Sequence, residues 1–268
     1  MPSIAMKSRN NWLTNAFIIA KRDILHWKQE PGTVILGWAS ALMILLIFGS
    51  LFGGAIAVPE GVNYYDFLLP GMLAMTMLFG IEVTLMAVTG DATKGVTDRF
   101  LSMPIGSSAV VLGRCIADML NSIIGLALMI GAGLLLGWEW NNGLGSFSAA
   151  IGLLLLLRFA LLWVGIYIGL VSKSPGAVMA AQILIWPIGF LSSVFVNPTT
   201  MPAWLAFIAE WNPLSATASA ARELFGNPGY ESTSWAGENA LLLAIAWPLL
   251  IVAVFMPLSM WAYRNLKR

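Results

Sequence analysis

Residues 147–171 read FSAAIGLLLLLRFALLWVGIYIGLV, and Arg158 is the one charge among them. A helix needs about 20 mostly apolar residues to cross the hydrocarbon core of a bilayer, and this stretch meets that requirement. Working outward from it, five further stretches do the same: Thr33–Ala57, Phe67–Gly90, Val110–Gly137, Ala177–Val196 and Ala240–Tyr263. The third opens with Arg114 and Asp118, which moves its apolar core to Met119–Gly137.

Composition agrees with a bilayer as the solvent. Of the 268 residues, 59% are hydrophobic and 10% charged, with mean hydropathy +0.82. A soluble domain of this size carries roughly a quarter charged residues, so this chain cannot cover a globular surface with polar groups. The net charge of +1 gives no general case for nucleic acid as a partner. A single cysteine, Cys115, excludes an intrachain disulfide, and a single histidine, His26, argues against a zinc site or a histidine-based triad. Basic residues precede the first apolar stretch, but that stretch is too long for the core of a cleavable signal.

Basic residues set the expected orientation. With the N-terminus in the cytoplasm, one side holds Lys7, Arg9, Lys21, Arg22 and Lys28, then Lys94, Arg99 and Arg114, then Lys173, and finally Arg264, Lys267 and Arg268. The opposite side holds Arg222 alone. Both termini are then cytoplasmic, which requires an even number of spans. The expected location is the cell (inner) membrane.

Ahead of the first span, Leu13, Phe17, Ala20, Ile24 and Trp27 recur at helical spacing, with Lys21, Arg22, His26 and Lys28 largely off that stripe. Such a helix lies in the membrane interface, apolar face toward the acyl chains and basic face toward headgroups. The alternative is a helix packed on the cytoplasmic ends of the spans. Between the fifth and sixth spans, residues 197–239 read as two short helices, Met201–Ala209 and Pro213–Phe225. They are either a re-entrant hairpin, whose non-helical backbone must be buried in protein or face water, or a surface loop with two amphipathic turns.

Charges within spans are costly and usually pair or line a path. Glu82 and Arg158 lie ~22 and ~16 Å from the outer ends of their spans at 1.5 Å per residue, so a pair between them is possible in depth. The pair would fix packing; alternatively Glu82 serves as counter-ion to a cationic substrate. The Asp91–Arg114 stretch is polar, with a Pro-Gly-Ser break at Met103–Ser108, and reads as a solvated loop with one short helix or a docking surface. Close-spaced small residues, Gly49/Gly53, Gly133/Gly137 and Gly165/Gly169, favour tight helix contact. Aromatic residues near the span ends, Tyr64, Tyr65 and Trp138 among them, read as interfacial anchors, with binding of an amphipathic ligand as the rarer role. No G-x-x-x-x-G-K-[ST] pattern occurs, so any ATP used must be bound by another polypeptide.

Three segments carry a resemblance: NYYDFLLPGM at Asn63–Met72, DATKGVTDRFLSMPIGSSAVVLGRCIAD at Asp91–Asp118, and MPAWLAFIAEWNPLSATASAAREL at Met201–Leu224. In order and spacing they resemble the type-2 ABC transporter permeases, in the drug-exporter branch typified by daunorubicin-resistance permeases. The resemblance implies an all-α integral membrane protein with six transmembrane helices, an amphipathic N-terminal helix and a short re-entrant helical hairpin before the last span. One permease domain would occupy residues 1–268, with residues 1–32 as connecting helix, 91–109 as coupling loop and 197–239 as the extracellular or re-entrant segment. It implies two permease copies, identical or related, working with ABC ATP-binding subunits that hold ATP and Mg; this chain would bind no cofactor and catalyse nothing. The docking surface would comprise Asp91, Lys94, Asp98, Arg99, Leu101 and Pro104, with the connecting helix carrying Leu13, Phe17, Lys21, Arg22, Ile24 and Trp27. Glu82, Arg158, Tyr64 and Tyr65 are the candidate pathway residues. Relatives often carry a basic residue after the Pro of this loop; here Ile105 follows Pro104. The expected function is export of a lipophilic or amphipathic compound from the cytoplasm or inner leaflet. A permease for a polysaccharide or other polymer is the alternative within the family. An ion-coupled secondary transporter is the alternative outside it, though such proteins often show repeats and several intramembrane ionisable groups.

Overall fold

A computed structural model of the chain describes residues 12–52, 63–102, 107–172, 174–229 and 234–266. Every regular element among them is helical. In chain order these are α1 (Trp12–Gln29), α2 (Pro31–Phe52), α3 (Tyr64–Thr93), α4 (Val96–Ser102), α5 (Ser107–Leu135), α6 (Gly143–Val171), α7 (Pro175–Phe190), a 3-10 turn at Pro198–Thr200, α8 (Ala203–Glu210), α9 (Pro213–Phe225), α10 (Trp235–Glu238) and α11 (Ala240–Asn265). Five of them, α2, α3, α5, α6 and α11, are long and apolar enough to cross a membrane. The stretch read as a fifth span, Ala177–Val196, forms a 16-residue helix that stops at Phe190. Residues 53–57 of the first expected span and Pro104 lie outside the described residues, as do the side chains of Leu13 and Leu101.

The centre of the bundle is α3 packed on α6, with α11 on the far side of α6. Along its first two-thirds α3 is buried on nearly all sides, from Phe67 to Met75 without interruption. That explains a sequence with almost no amphipathic pattern: a helix surrounded by protein has no polar face to show. Asn63 caps its start, accepting a hydrogen bond from the Tyr65 amide. At its other end the chain turns through Gly95, whose φ of +68° lies in the left-handed region that glycine adopts at least cost.

α7 ends early because its terminal carbonyls are taken up by side chains from the α9 segment. Asn212 Nδ2 donates to the Ile188 and Leu191 carbonyls at 2.8 and 2.7 Å. Arg222 donates to the Ser193 and Val194 carbonyls at 3.2 and 2.9 Å. Backbone that leaves the helix within an apolar environment must find such partners.

The same contacts bury α9. Leu214, Ser215, Ala216, Thr217, Ala218, Ala220, Ala221, Arg222 and Phe225 are all buried, a wider face than an amphipathic turn on a loop would bury. α9 packs against α3, α6 and α11, so the reading of it as a turn on a surface loop is set aside. α8, by contrast, leaves Trp204, Phe207 and Ile208 exposed.

α1 lies along the first half of α5. Its buried face is Ala16, Ile19, Ala20 and Asp23, which among the described side chains shares Ala20 with the stripe expected from spacing. Gly113 makes the approach possible: a Cβ there would stand 2.7 Å from the Ala16 carbonyl oxygen and from Ile19 Cβ. Phe17, Ile18 and Leu25 point outward and are exposed. The helix therefore packs on α5 with one side and offers apolar side chains to its surroundings with another.

Candidate functional site

At the end of the bundle where α3 runs into α4, four charges from three helices alternate in sign. Arg22 donates to Asp91 Oδ2 at 3.0 Å and to its neighbour Asp23 at 2.8 Å. Arg114 donates to the same Asp91 oxygen and to the Ala87 carbonyl. Arg114 Nη1 also lies 3.2 Å from Asp23 Oδ2, close enough for charge attraction though not aligned for a hydrogen bond. Burial pushes the Asp23 carboxyl above its ordinary range, and Arg114 and then Arg22 pull it back. Arg22 also covers the Phe100 ring at 5.0 Å. One knot thus fastens α1, the end of α3, α4 and α5 to one another.

α4 shows two sides. Phe100 turns inward beneath Arg22, and with Thr97 it borders a shallow recess that also includes Val88, Asp91, Arg114 and Tyr263. Lys94, Asp98 and Arg99 are exposed. The expected docking residues therefore divide: Asp91 belongs to the internal knot, while Lys94, Asp98 and Arg99 form an outward, mixed-charge face. On α1, Lys21 is exposed, whereas Arg22 is drawn into the knot. Ile24 and Trp27 are half-buried.

The four candidate pathway residues do not converge. Arg158 is fully buried and meets Asp118, not Glu82. Its Nη2 lies 4.0 Å from Asp118 Oδ2, and the Thr84 hydroxyl bridges the gap, accepting from Arg158 at 2.8 Å and donating to Asp118 at 2.7 Å. Ser122 accepts from Arg158 Nε at 2.7 Å. This group links α3, α5 and α6. Gly80 leaves the space for it, since a Cβ there would fall 2.5 Å from Arg158 Nε. The Glu82–Arg158 pair allowed by depth is therefore replaced by Asp118–Arg158. Glu82 is half-buried on another side of α3 and accepts a hydrogen bond from Gln182 Nε2 of α7 at 2.9 Å. Tyr64 and Tyr65 stand about five turns away on the same helix. Tyr65 packs into α2, where a Cβ on Gly49 would meet its ring at 2.5 Å.

Arg222 is the residue that sequence reasoning placed least well. Read as the lone cation of an outer loop, it is fully buried. Besides the carbonyls at the end of α7 it donates to the Phe67 carbonyl at 3.1 Å and stacks over the Phe67 ring at 4.3 Å. A signal was present, since Arg222 lies amid a run of small residues, Ala216 to Ala221, on a helix that closes on Gly226.

Comparison with known proteins gives a consistent outcome. Residues 14–225 match the family described as ABC-2 type transporter. The chain is 34% identical over 246 residues to the daunorubicin resistance ABC transporter permease protein DrrB1 of Streptomyces coeruleorubidus, covering 91% of this chain and 84% of that one. It is 26% identical over 255 residues to the putative transport permease ycf38 of Cyanophora paradoxa, covering 91% and 86%. Against the ycf38 protein of Pyropia yezoensis it is 28% identical over 232 residues, covering 84% and 77%.

Proposed function

This chain belongs to the ABC-2 type transporter family, and from that premise we propose that it is the membrane-spanning half of an ATP-driven exporter of lipophilic or amphipathic compounds. Two copies, or one copy and a related chain, enclose the path. A separate ABC subunit binds ATP and Mg and docks on the outward face of α4. Both termini lie in the cytoplasm, at an inner membrane. α7 is the fifth of six spans, short because α8 and α9 return into the membrane beside it. The burial of α9 and the side-chain capping of the α7 carbonyls support that re-entrant reading.

The observation that carries the proposal is the two-sided α4. Its outward residues, Asp98 and Arg99 with Lys94 in the preceding turn, are exposed and mixed in charge, as suits a reversible protein contact. Its inward residue, Phe100, sits under Arg22 in the knot that joins α1, α3 and α5. A push on α4 when ATP draws two ATP-binding subunits together is then passed to three helices at once. Nucleotide drives the path from one opening to the other only if it binds one arrangement better.

The test is purification of tagged chain from native membranes, with identification of its companions and an ATPase assay. A stoichiometric ATP-binding subunit is expected, and Arg99→Glu should release it while leaving the permease folded. A homo-oligomer with no nucleotide-binding companion and no ATP hydrolysis would count against the proposal and turn attention to an ion-coupled transporter.

A further inference from the structure

The end of the bundle opposite the charged knot holds a polar cavity. It is bounded by the segment after α7, the 3-10 turn, the end of α8, one face of α9 and the junction of α10 with α11. Ser193, Asn197, Thr199, Glu210, Ser215 and Ser219 line it, each with a side-chain oxygen. Ala240 borders it too, whereas Tyr263 borders the recess beside the knot. Along α11 those two residues stand ~34 Å apart at the helical rise, slightly more than the ~30 Å thickness of the hydrocarbon core. The cavity therefore lies at the level of the far headgroups.

Ser193 is the informative part of its wall. It is 4% exposed, and its hydroxyl has no hydrogen-bond partner among the described residues. Its main chain is held on both sides. The amide donates to Ser215 Oγ at 2.8 Å, and the carbonyl accepts from Arg222 Nη1 at 3.2 Å. A buried polar atom fixed in place without a partner is costly, so an occupant of the cavity gains by meeting it. Glu210 adds a half-buried carboxylate to the same wall.

Size, charge and rim select the occupant. The cavity measures about 50 Å³. One water needs about 10–15 Å³ of such space, so the cavity takes a group of roughly three or four heavy atoms and refuses a sugar ring. Acids at this end among the described residues are Asp66, Glu139, Glu210, Glu223 and Glu238. The one base there, Arg222, is fully buried on backbone carbonyls and does not border the cavity. That pattern favours a cation. A primary ammonium has three N–H donors to share between a carboxylate and hydroxyls, whereas a trimethylammonium has none. The rim shows where the ammonium comes from. Trp204, Phe207 and Ile208 of α8 and Trp235 of α10 are exposed, and Trp235 stacks at 5.9 Å on Trp211, the neighbour of Glu210. Exposed tryptophans around a polar hollow at headgroup level are the surroundings of a lipid.

We propose that this cavity binds the ammonium headgroup of a phosphatidylethanolamine-type lipid, held by Glu210 and Ser193 between the α8–α9 hairpin and the start of α11. In the orientation proposed above it is a lipid of the outer leaflet. The site goes beyond the exporter reading: it concerns a lipid that stays with the protein, not the compound transported.

The test titrates the full chain, purified in detergent, with phosphatidylethanolamine, phosphatidylcholine and phosphatidylglycerol of identical acyl chains. Lipid-bound species are read by native mass spectrometry. Wild type should bind phosphatidylethanolamine about tenfold more tightly than either of the others, the size expected of charge-assisted hydrogen bonds that their headgroups cannot make. Glu210→Gln should weaken phosphatidylethanolamine about tenfold and leave phosphatidylcholine within about twofold. Ser193→Ala should weaken the ethanolamine lipid about threefold, and Ser219→Val, which fills the cavity, should remove the preference. Equal wild-type affinity for the ethanolamine and choline lipids overturns the proposal and leaves the cavity to water. Equal loss of both lipids in Glu210→Gln overturns it too, since Glu210 would then act through packing. If Glu210→Gln fails to accumulate, an unchanged preference in Ser219→Val overturns it instead. Glycerophosphoethanolamine, the same headgroup without chains, should displace the lipid only at about hundredfold higher concentration, because it lacks the apolar contacts of the tails. Displacement at concentrations equal to the lipid's would make a soluble amine the ligand and overturn the lipid assignment.

Discussion

Arg158 and Arg222 are both fully buried, and each occupies a hollow left by a glycine of α3, Gly80 and Gly71 respectively. Their company differs. Arg158 is held by Asp118 and by the hydroxyls of Thr84 and Ser122, all on regular helices. Arg222 is held by the carbonyls of Phe67, Ser193 and Val194 and by the Phe67 ring. One arginine therefore joins helices that would form without it. The other supplies the hydrogen bonds of a backbone stretch that is not helical, so the local conformation depends on it. The first belongs to a packing clamp that an apolar pair at Arg158 and Asp118 can replace; the second is part of how the chain turns from α7 toward α9.

The comparison is broken most directly by removing each cation. Arg222→Leu should give the largest effect, because it leaves buried carbonyls unpaired. Each costs about 1–3 kcal/mol, so loss of two or three of them should abolish accumulation of folded protein, read by size-exclusion chromatography of a fluorescent fusion. Arg222→Lys should recover only part of it, since one ammonium cannot reproduce the planar fork that reaches carbonyls on two segments. Arg158→Leu alone should cost about 3–5 kcal/mol, the penalty for leaving a buried acid without its partner.

The sharper test is the double substitution. Arg158→Met with Asp118→Leu removes both charges and should return most of the lost thermal stability, because apolar side chains can replace a buried ion pair at little cost. With Asp118 gone, the single Thr84 hydroxyl hydrogen can turn to the Gly80 carbonyl 3.1 Å away. A double variant no more stable than Arg158→Leu would make the pair indispensable to the fold and erase the distinction from Arg222. No matching rescue exists for the Arg222 bonds to the Phe67, Ser193 and Val194 carbonyls, main-chain atoms that mutation cannot remove.

The same pair marks what could be read in advance. Five long apolar helices follow from segment length and composition, since hydrocarbon burial depends on little else. Arg158 stands out as an expensive charge on the same ground. Its partner does not, because Asp118 sits near the charged start of its segment and was assigned to the edge of the apolar core. A long guanidinium reaches across from another helix, and depth counted along one helix cannot show that reach. Glu82 was legible as costly, but Gln182, a neutral amide, gave no sign that it would meet it. The early end of α7 was hidden for a related reason: residues 191–196 are apolar enough to continue a span, and side chains distant in sequence, Asn212, Ser215 and Arg222, hold their backbone out of the helix. On α1 the spacing of large apolar residues was visible, while the face that packs holds Ala16, Ile19, Ala20 and Asp23, because Gly113 lets the Ala16 carbonyl and the Ile19 side chain lie directly against α5.

The smallest expected effects come from the two glycines, and they bear on the same contrast. A methyl at Gly80 would meet Arg158 Nε and Cζ at 2.5 and 2.6 Å, side-chain atoms at the end of a long chain. A methyl at Gly71 would meet Arg222 Nη2 and Val194 Cγ1, both at 2.9 Å, with the Val194 carbonyl oxygen behind them at 3.3 Å. Arg158 sits among helices and can shift by a rotamer, whereas Val194 belongs to backbone already fixed by its hydrogen bonds. Overpacking of this kind costs about 1–3 kcal/mol, and Gly71→Ala should fall at the upper end with Gly80→Ala at the lower. Thermal midpoints of the two variants in one detergent decide the order. If Gly80→Ala proves the more damaging, the Arg158 group is the more rigid of the two, and the contrast between a clamp that yields and a turn that does not is reversed.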